Sequence, residues 1–316
     1  MRKAEVLEEV LSEVEKVVIG KRSVVEKVMM AILAKGNILL DDVPGVGKTT
    51  LAMAIGKTLG LAYKRLQFTP DVLPSDIVGF SIYDKETASL TYMPGVIHQA
   101  NLLLGDEINR TSSKTQSALL EAMEEGQVTV DGQTHPLKNP FIVIATQNHV
   151  GTAGTQMLPH AQMDRFLIKI SIGYPDLKSQ MDIIREGGGQ NQLKNIEPLM
   201  NTEDVLSMQE EVERIFMKES VVEYIAKLTS ASRDCEWIEL GLGPRGALAV
   251  SRMSKACAYL HGRDYVIPED VQEVFFDVTA HRIRLSRRAK IEQCSIEQAL
   301  MQVIQKVKVP DMEGME

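Results

Sequence analysis

The chain predicts an α/β fold: a doubly wound parallel five-stranded sheet followed by a small all-α domain. Three observations carry that expectation. Five short apolar runs, at Ile38 to Leu40, Lys64 to Phe68, Leu102 to Leu104, Phe141 to Ala145 and Phe166 to Ile170, read as buried parallel strands separated by crossover-length segments. A glycine-bearing turn ending in Lys48 and Thr49 leaves the first run, where a strand hands over to a helix. After Tyr174-Pro175 the pattern turns to helices alone. The division expected is therefore residues 1–175 for the core, 176–200 for a linker and 201–316 for the helical domain.

The elements follow in order. Val6, Leu7, Val10, Leu11, Val14, Val17 and Val18 recur at helical spacing, as do Val24, Val25, Val28, Met29, Ile32 and Leu33 after Gly20, so two amphipathic helices precede the first strand. Two hairpins interrupt the sheet. Gly79 to Gly95 alternates Ile82, Leu90 and Tyr92 around a polar middle, and Val128 to Val130 runs into Asp131-Gly132, a strong two-residue turn signal. Gly187 to Gly189 reads as a flexible loop within the transition. Pro244 and Pro268 sit where first-turn prolines belong, and Ser295 with Gln298 forms a capping box that opens a last helix over Ile296 to Val307.

Composition bounds the function. At 316 residues with 44% hydrophobic content, two domains with a substantial core are affordable and disorder is not the default. No stretch approaches the ~20 apolar residues of a membrane span, and the N-terminal residues lack the apolar run of a signal peptide, so a cytoplasmic location is expected. Three widely spaced cysteines, Cys235, Cys257 and Cys294, argue against a disulfide framework or a zinc cluster; each reads as a small buried apolar residue. A net charge of -8 gives no global attraction to nucleic acid or to an anionic membrane.

The turn is a phosphate cradle in its chemistry. Asp42, Val43, Pro44, Gly45, Val46 and Gly47 can aim successive backbone N-H groups inward, while the helix opening at Lys48, Thr49 and Thr50 presents its positive end. Lys48 would reach the outer phosphates of ATP, and the Thr49 hydroxyl would ligate Mg2+. Asp42 stands where the pattern begins with glycine. Asp106 and Glu107 end the Leu102 to Leu104 run. On strands expected to be neighbours they would emerge at the edge that carries the phosphate loop, Asp106 holding magnesium and Glu107 polarising the attacking water. Asn148 follows the fourth run, where its amide could orient that water. Arg165 opens the fifth run. Arg245 opens a later helix, where a guanidinium is electrostatically unfavourable unless an anion is present.

Taken in order, these segments resemble the AAA+ ATPases, and within them the MoxR family, over nearly the whole chain. The resemblance rests on Val-Pro-Gly-Val-Gly-Lys-Thr (43 to 49), Gln-Phe-Thr-Pro-Asp-Val-Leu-Pro-Ser-Asp-Ile-Val-Gly (67 to 79), Asp-Glu-Ile-Asn-Arg (106 to 110) and Leu-Leu-Glu-Ala-Met-Glu-Glu (119 to 125). It continues through Val-Thr-Val-Asp-Gly (128 to 132), Ala-Thr-Gln-Asn (145 to 148), Ala-Gln-Met-Asp-Arg-Phe (161 to 166) and Pro-Arg-Gly-Ala (244 to 247). It implies a P-loop core with a helical lid, Asn148 as sensor 1, Arg165 as arginine finger and Arg245 as sensor 2. The two hairpins would be the helix-2 insert and the presensor hairpin. His149 and His160 depart from the family pattern near the expected subunit interface, and read here as exposed loop positions.

The resemblance further implies ATP hydrolysis in a homo-oligomeric, hexameric ring, with Arg165 completing the neighbour's site. Chaperone-like maturation of partner complexes, metal or cofactor insertion included, would involve a von Willebrand A domain protein and, through a partner, recruitment to a membrane. Three other readings remain: a chelatase-type motor, a nucleotide-gated scaffold without turnover, and a DNA-directed motor using the basic run Arg282, Arg284, Arg287, Arg288 and Lys290. For that run a solvated helix balanced by acidic neighbours is the preferred reading.

Overall fold

A computed structural model describes residues 3–85, 88–148, 158–185 and 190–311. Two helices, α1 (Lys3–Glu15) and α2 (Arg22–Leu33), precede the sheet, and the apolar spacing that predicts them is the face they bury, with Leu7, Val10, Val14, Val25 and Val28 all inside. Strand β1 (Ile38–Asp41) leads through the glycine turn into α3 (Lys48–Thr58), then β2 (Tyr63–Gln67) and α4 (Pro74–Val78). The first hairpin is β3 (Gly79–Asp84) with β4 (Ser89–Pro94), paired antiparallel from Gly79↔Pro94 to Asp84↔Ser89. Strand β5 (Leu102–Asp106) and α5 (Ser113–Glu125) follow; Ser112 caps α5 by accepting from the Thr115 N-H. The second hairpin, β6 (Gln127–Val130) with β7 (Gln133–Pro136), turns at Asp131-Gly132, both with positive φ. Strand β8 (Ile142–Gln147), α6 (His160–Met163) and β9 (Ile168–Ile170) complete the sheet.

The sheet order is β2-β5-β8-β1-β9. The registers Ile38↔Ile144 and Leu104↔Ile144 place β8 between β1 and β5, so the expectation that β1 and β5 are neighbours is corrected. Every residue of β1, β5 and β8 is buried, which explains their unbroken apolar runs. Strand β2 is different. As an edge strand it exposes Lys64 and Arg65, and it begins at Tyr63 and stops before Phe68. Phe166 and Leu167 likewise precede β9 rather than belong to it.

The remainder is mostly helical: α7 (Leu177–Arg185), α8 (Gln190–Asn195), α9 (Thr202–Arg214), α10 (Glu219–Arg233), α11 (Pro244–Leu260), α12 (Pro268–Thr279), α13 (Arg287–Ile291) and α14 (Ile296–Lys306). It is not helices alone. Strands β10 (Ile238–Leu240) and β11 (Arg284–Leu285) pair antiparallel, extended by the Ser286 N-H donating to the Trp237 carbonyl at 2.8 Å. Strands of three and two residues give too short a period-2 pattern to be read from sequence. Pro244 and Pro268 occupy the first turns of α11 and α12, and Ser295 and Gln298 exchange both bonds of a capping box at α14.

Two compact units emerge. One comprises Met1–Val28, Asn37–Arg165 and Ile170–Leu206; the other comprises Met29–Gly36, Phe166–Lys169 and Ser207–Glu316. The second unit closes over Tyr224, Val250, Met253, Phe275 and Leu300, each at most 1% exposed. Gly187 to Gly189 lie outside the described residues. Among the described residues no helix is long and apolar enough to cross a membrane.

Candidate nucleotide-binding and hydrolysis site

The phosphate loop is set by three local features. Gly45 and Gly47 take positive φ values of 87° and 98°, which only glycine adopts without strain, and nothing lies within 4 Å of where a Cβ would stand on either. Gly47 is also the N-cap of α3, so the helix opens on Lys48 with its first N-H groups facing the loop. Third, Asp42 anchors the loop's start. Its Oδ1 accepts from the Val43 N-H at 2.9 Å, and its Oδ2 accepts from the Ser171 hydroxyl at 2.9 Å and from the N-H groups of Ile172 and Gly173 at 2.6 and 2.7 Å. Burial alone would raise this carboxyl, but the donors from Gly173, Ser171, Val43 and Ile172 outweigh it and hold the carboxyl below its ordinary range. Asp42 is thus a clamp at a position that the motif gives to glycine.

Lys48 is buried, with Nζ donating to the Asp42 carbonyl at 2.7 Å, the Val43 carbonyl at 3.2 Å and Asn148 Oδ1 at 2.8 Å. Burial lowers its ammonium, against the attraction of Asp42, Asp106, Asp41 and Glu107. From Asn148 the chain of bonds continues, its Nδ2 donating to Glu107 Oε1 at 2.8 Å. The intervening strand β8 explains the geometry: its end carries Asn148 between the loop after β1 and the acids after β5.

Glu107 sits at φ 57°, ψ 49°, a left-handed conformation uncommon for a non-glycine residue. Its backbone N-H donates to Thr146 Oγ1 at 2.9 Å, while Oε2 accepts from Gln67 at 3.0 Å and Arg110 at 2.6 Å. Asp106, buried, accepts from the Thr146 hydroxyl at 2.6 Å and pairs with Arg65 at 2.6 Å. Thr146, Gln67, Arg65 and Arg110 are contributions that reading the motifs missed. Two had signals. Thr146 is two residues before Asn148 and shares its face of the strand, and Gln67 ends β2 in register with Asp106.

Thr49 and Thr50, half-buried in the first turn of α3, join this cluster by position, as do Val43, Pro44 and Val46 in the turn. The other predicted residues stand elsewhere. Arg165 follows α6 and lies 3.4 Å from the Glu124 carboxylate near the end of α5. Arg245 is exposed in the first turn of α11, in the second unit. His160, read as an exposed loop position, is half-buried and begins α6; His149 lies outside the described residues.

The donor set fits a magnesium nucleotide. An open glycine cradle at a helix start, a buried ammonium, and oxygen ligands from Thr49 and Asp106 match a triphosphate and a hard cation.

The family model described as "ATPase family associated with various cellular activities (AAA)" matches residues 37–168, and that of the AAA lid domain matches residues 230–305. The protein YeaC of Bacillus subtilis, itself uncharacterized, is 45% identical over 300 residues, covering 95% of this chain and 93% of that protein. Chaperone MoxR1 of Mycobacterium tuberculosis is 39% identical over 316 residues, covering 97% of this chain and 83% of the relative. A crystal structure of a candidate ATPase from Cytophaga hutchinsonii superposes with a TM-score of 0.89 at 38% identity, covering 98% and 96% of the two chains.

Proposed function

The chain belongs to the MoxR family of AAA+ ATPases, and on that premise we propose that it hydrolyses ATP within a ring of identical copies to remodel or mature partner protein complexes. One observation supports turnover above all: the unbroken bond path from Lys48 through Asn148 to Glu107, beside Asp106, within one chain. Phosphoryl transfer to water is governed by position and charge, and these are the groups it needs.

Lys48 supplies positive charge to the outer phosphates. Thr49 and Asp106 would hold magnesium, which when bound adds charge neutralisation at the same oxygens. Asn148 fixes the direction of Glu107, and the two together orient a water whose proton Glu107 accepts as its oxygen attacks the terminal phosphorus. The bond to the bridging oxygen breaks, leaving ADP and inorganic phosphate. Gln67 and Arg110 hold the opposite oxygen of Glu107, so its position does not depend on Asn148 alone.

Arg165 is assigned to the neighbouring copy's site, and a trans arginine contributes on the order of 10³ to 10⁵ in rate in related phosphate enzymes. For Arg245, for a hexameric ring and for a von Willebrand A domain partner, the support is family resemblance alone. Phosphate release tests the reading: Glu107→Gln should lower turnover by about 10² or more while ATP binding persists. Mixing Arg165→Ala with Lys48→Ala protein should restore part of the lost activity. Wild-type turnover from a strict monomer would overturn the ring. A Glu107→Gln pull-down that recovers no von Willebrand A domain protein would remove the partner.

A further inference from the structure

The turn between α11 and α12 brings together three side chains that the nucleotide site does not use. Cys257, in the last turn of α11, is fully buried; His261, four residues on, is exposed on the same helix face; Glu273, in the second turn of α12, is exposed beside them. One ligand atom from each, Sγ, a ring nitrogen and a carboxylate oxygen, all lie within 4.8 Å of one another. Of the three cysteines expected to be small buried residues, Cys235 and Cys294 are only half-buried, while buried Cys257 is accompanied in the fold by a histidine and an acid.

We propose that Cys257, His261 and Glu273 form a zinc site. The distances carry the argument first. Bond lengths of about 2.3 Å to sulfur and about 2.0 Å to nitrogen at a tetrahedral angle separate the two ligand atoms by roughly 3.5 Å; Cys257 Sγ and His261 Nδ1 are 3.6 Å apart. The donor types come next. A thiolate, an imidazole and one carboxylate suit zinc, whereas magnesium and calcium take oxygen throughout.

The surroundings hold the ligands in place. Asp270, 1% exposed, lies 3.4 Å from Cys257 Sγ and 3.9 Å from His261 Nδ1, and Arg263 grips both of its oxygens. Burial and the adjacent Asp270 and Glu273 carboxylates keep the metal-free Cys257 a thiol, so a cation binding there must displace its proton. Asp270 is fixed a third way, its carboxylate accepting from the N-H of Ile267, the N-cap residue of α12, at 2.9 Å. The outer shell is therefore rigid before any metal arrives, as ligand orientation requires. Binding exchanges the thiol proton for the metal: zinc forms a bond to sulfur and the proton leaves to solvent, with no change of oxidation state. A fourth position is left for water, and the site would staple the end of α11 to α12.

The test uses the full chain without nucleotide, so its outcome is separate from that of ATP hydrolysis. Chelator-treated protein is titrated with zinc against a chromophoric competitor, and in parallel with cobalt. One zinc per chain should bind, raise the thermal midpoint, and, as cobalt, give a thiolate-to-metal charge-transfer band that oxygen-ligated cobalt at the magnesium position cannot give. Cys257→Ala should abolish the band, His261→Ala and Glu273→Gln should each weaken zinc by more than about tenfold, and Cys235→Ala with Cys294→Ala should change nothing. His261 and Glu273 are exposed, so their variants keep the test decisive if Cys257→Ala fails to fold. No zinc bound, or zinc binding unchanged by His261→Ala and Glu273→Gln, would overturn the site.

Discussion

Single atoms decide the chemistry here. The Thr146 hydroxyl donates to Asp106 and accepts from the Glu107 N-H, so one small side chain sets both acids. Thr146→Val keeps the shape and removes both bonds. The buried Asp106 oxygen then lacks its donor, and we expect a loss of about 1–3 kcal/mol in stability by denaturant unfolding, together with at least tenfold slower phosphate release. Asp42 gives a pH-dependent counterpart. Its carboxyl is held below the ordinary range, so the stabilisation is complete above about pH 4, where the unfolded chain is ionised, and is lost as pH falls through the lower folded value. Asp42→Asn should therefore be less stable than wild type at neutral pH, and the gap should narrow as unfolding curves are taken further into acid. Equal stability at neutral pH would show that the clamp contributes nothing.

Between elements, the two hairpins are joined by an aromatic contact. Tyr92 of β4 stacks on His135 of β7 with centroids 3.7 Å apart and planes 10° from parallel, and His98 packs edge-on against Tyr92 at 5.6 Å. Such a contact contributes about 0.5–1.5 kcal/mol. Tyr92→Ala should speed amide exchange in β6 and β7 while leaving β5 and β8 protected. Burial, and then repulsion from His135, push His98 below its ordinary value, so the folded state disfavours its protonation. The stability this confers is full above about pH 6.5 and declines as pH falls toward the lower folded value. Protection factors of the hairpin amides, which divide out the intrinsic pH dependence of exchange, should be smaller in mild acid than at neutral pH, and His98→Gln should flatten that dependence. The run Arg282, Arg284, Arg287, Arg288 and Lys290, read from sequence as a solvated helix balanced by acidic neighbours, divides at this scale. Arg282 is buried, donating to the Phe166 and Leu167 carbonyls at 2.6 and 3.0 Å. Arg284 pairs with Glu239, and Arg288 with Glu236 and Glu292.

For the whole molecule, those pairings and the net charge of -8 argue against a nucleic-acid motor. Fluorescence anisotropy with duplex DNA should show no salt-sensitive binding near physiological ionic strength. Micromolar binding with a steep salt slope would return the DNA reading.

Local patterning was enough to predict the five strands of the core sheet to within one or two residues, the phosphate loop, the two acids after β5 and the caps of the later helices, but not β10 and β11. Those signals are local: a buried strand needs an apolar run, a left-handed turn needs glycine, and a first turn accepts proline. That β8 separates β1 from β5, and with it that Asn148 bridges Lys48 and Glu107, became evident only in the folded chain. It alone made Asp42 a clamp through residues about 130 positions away, and brought a histidine and a glutamate to Cys257. Pairing order and long-range donors depend on which segments meet in three dimensions, and residue spacing along one chain does not encode that.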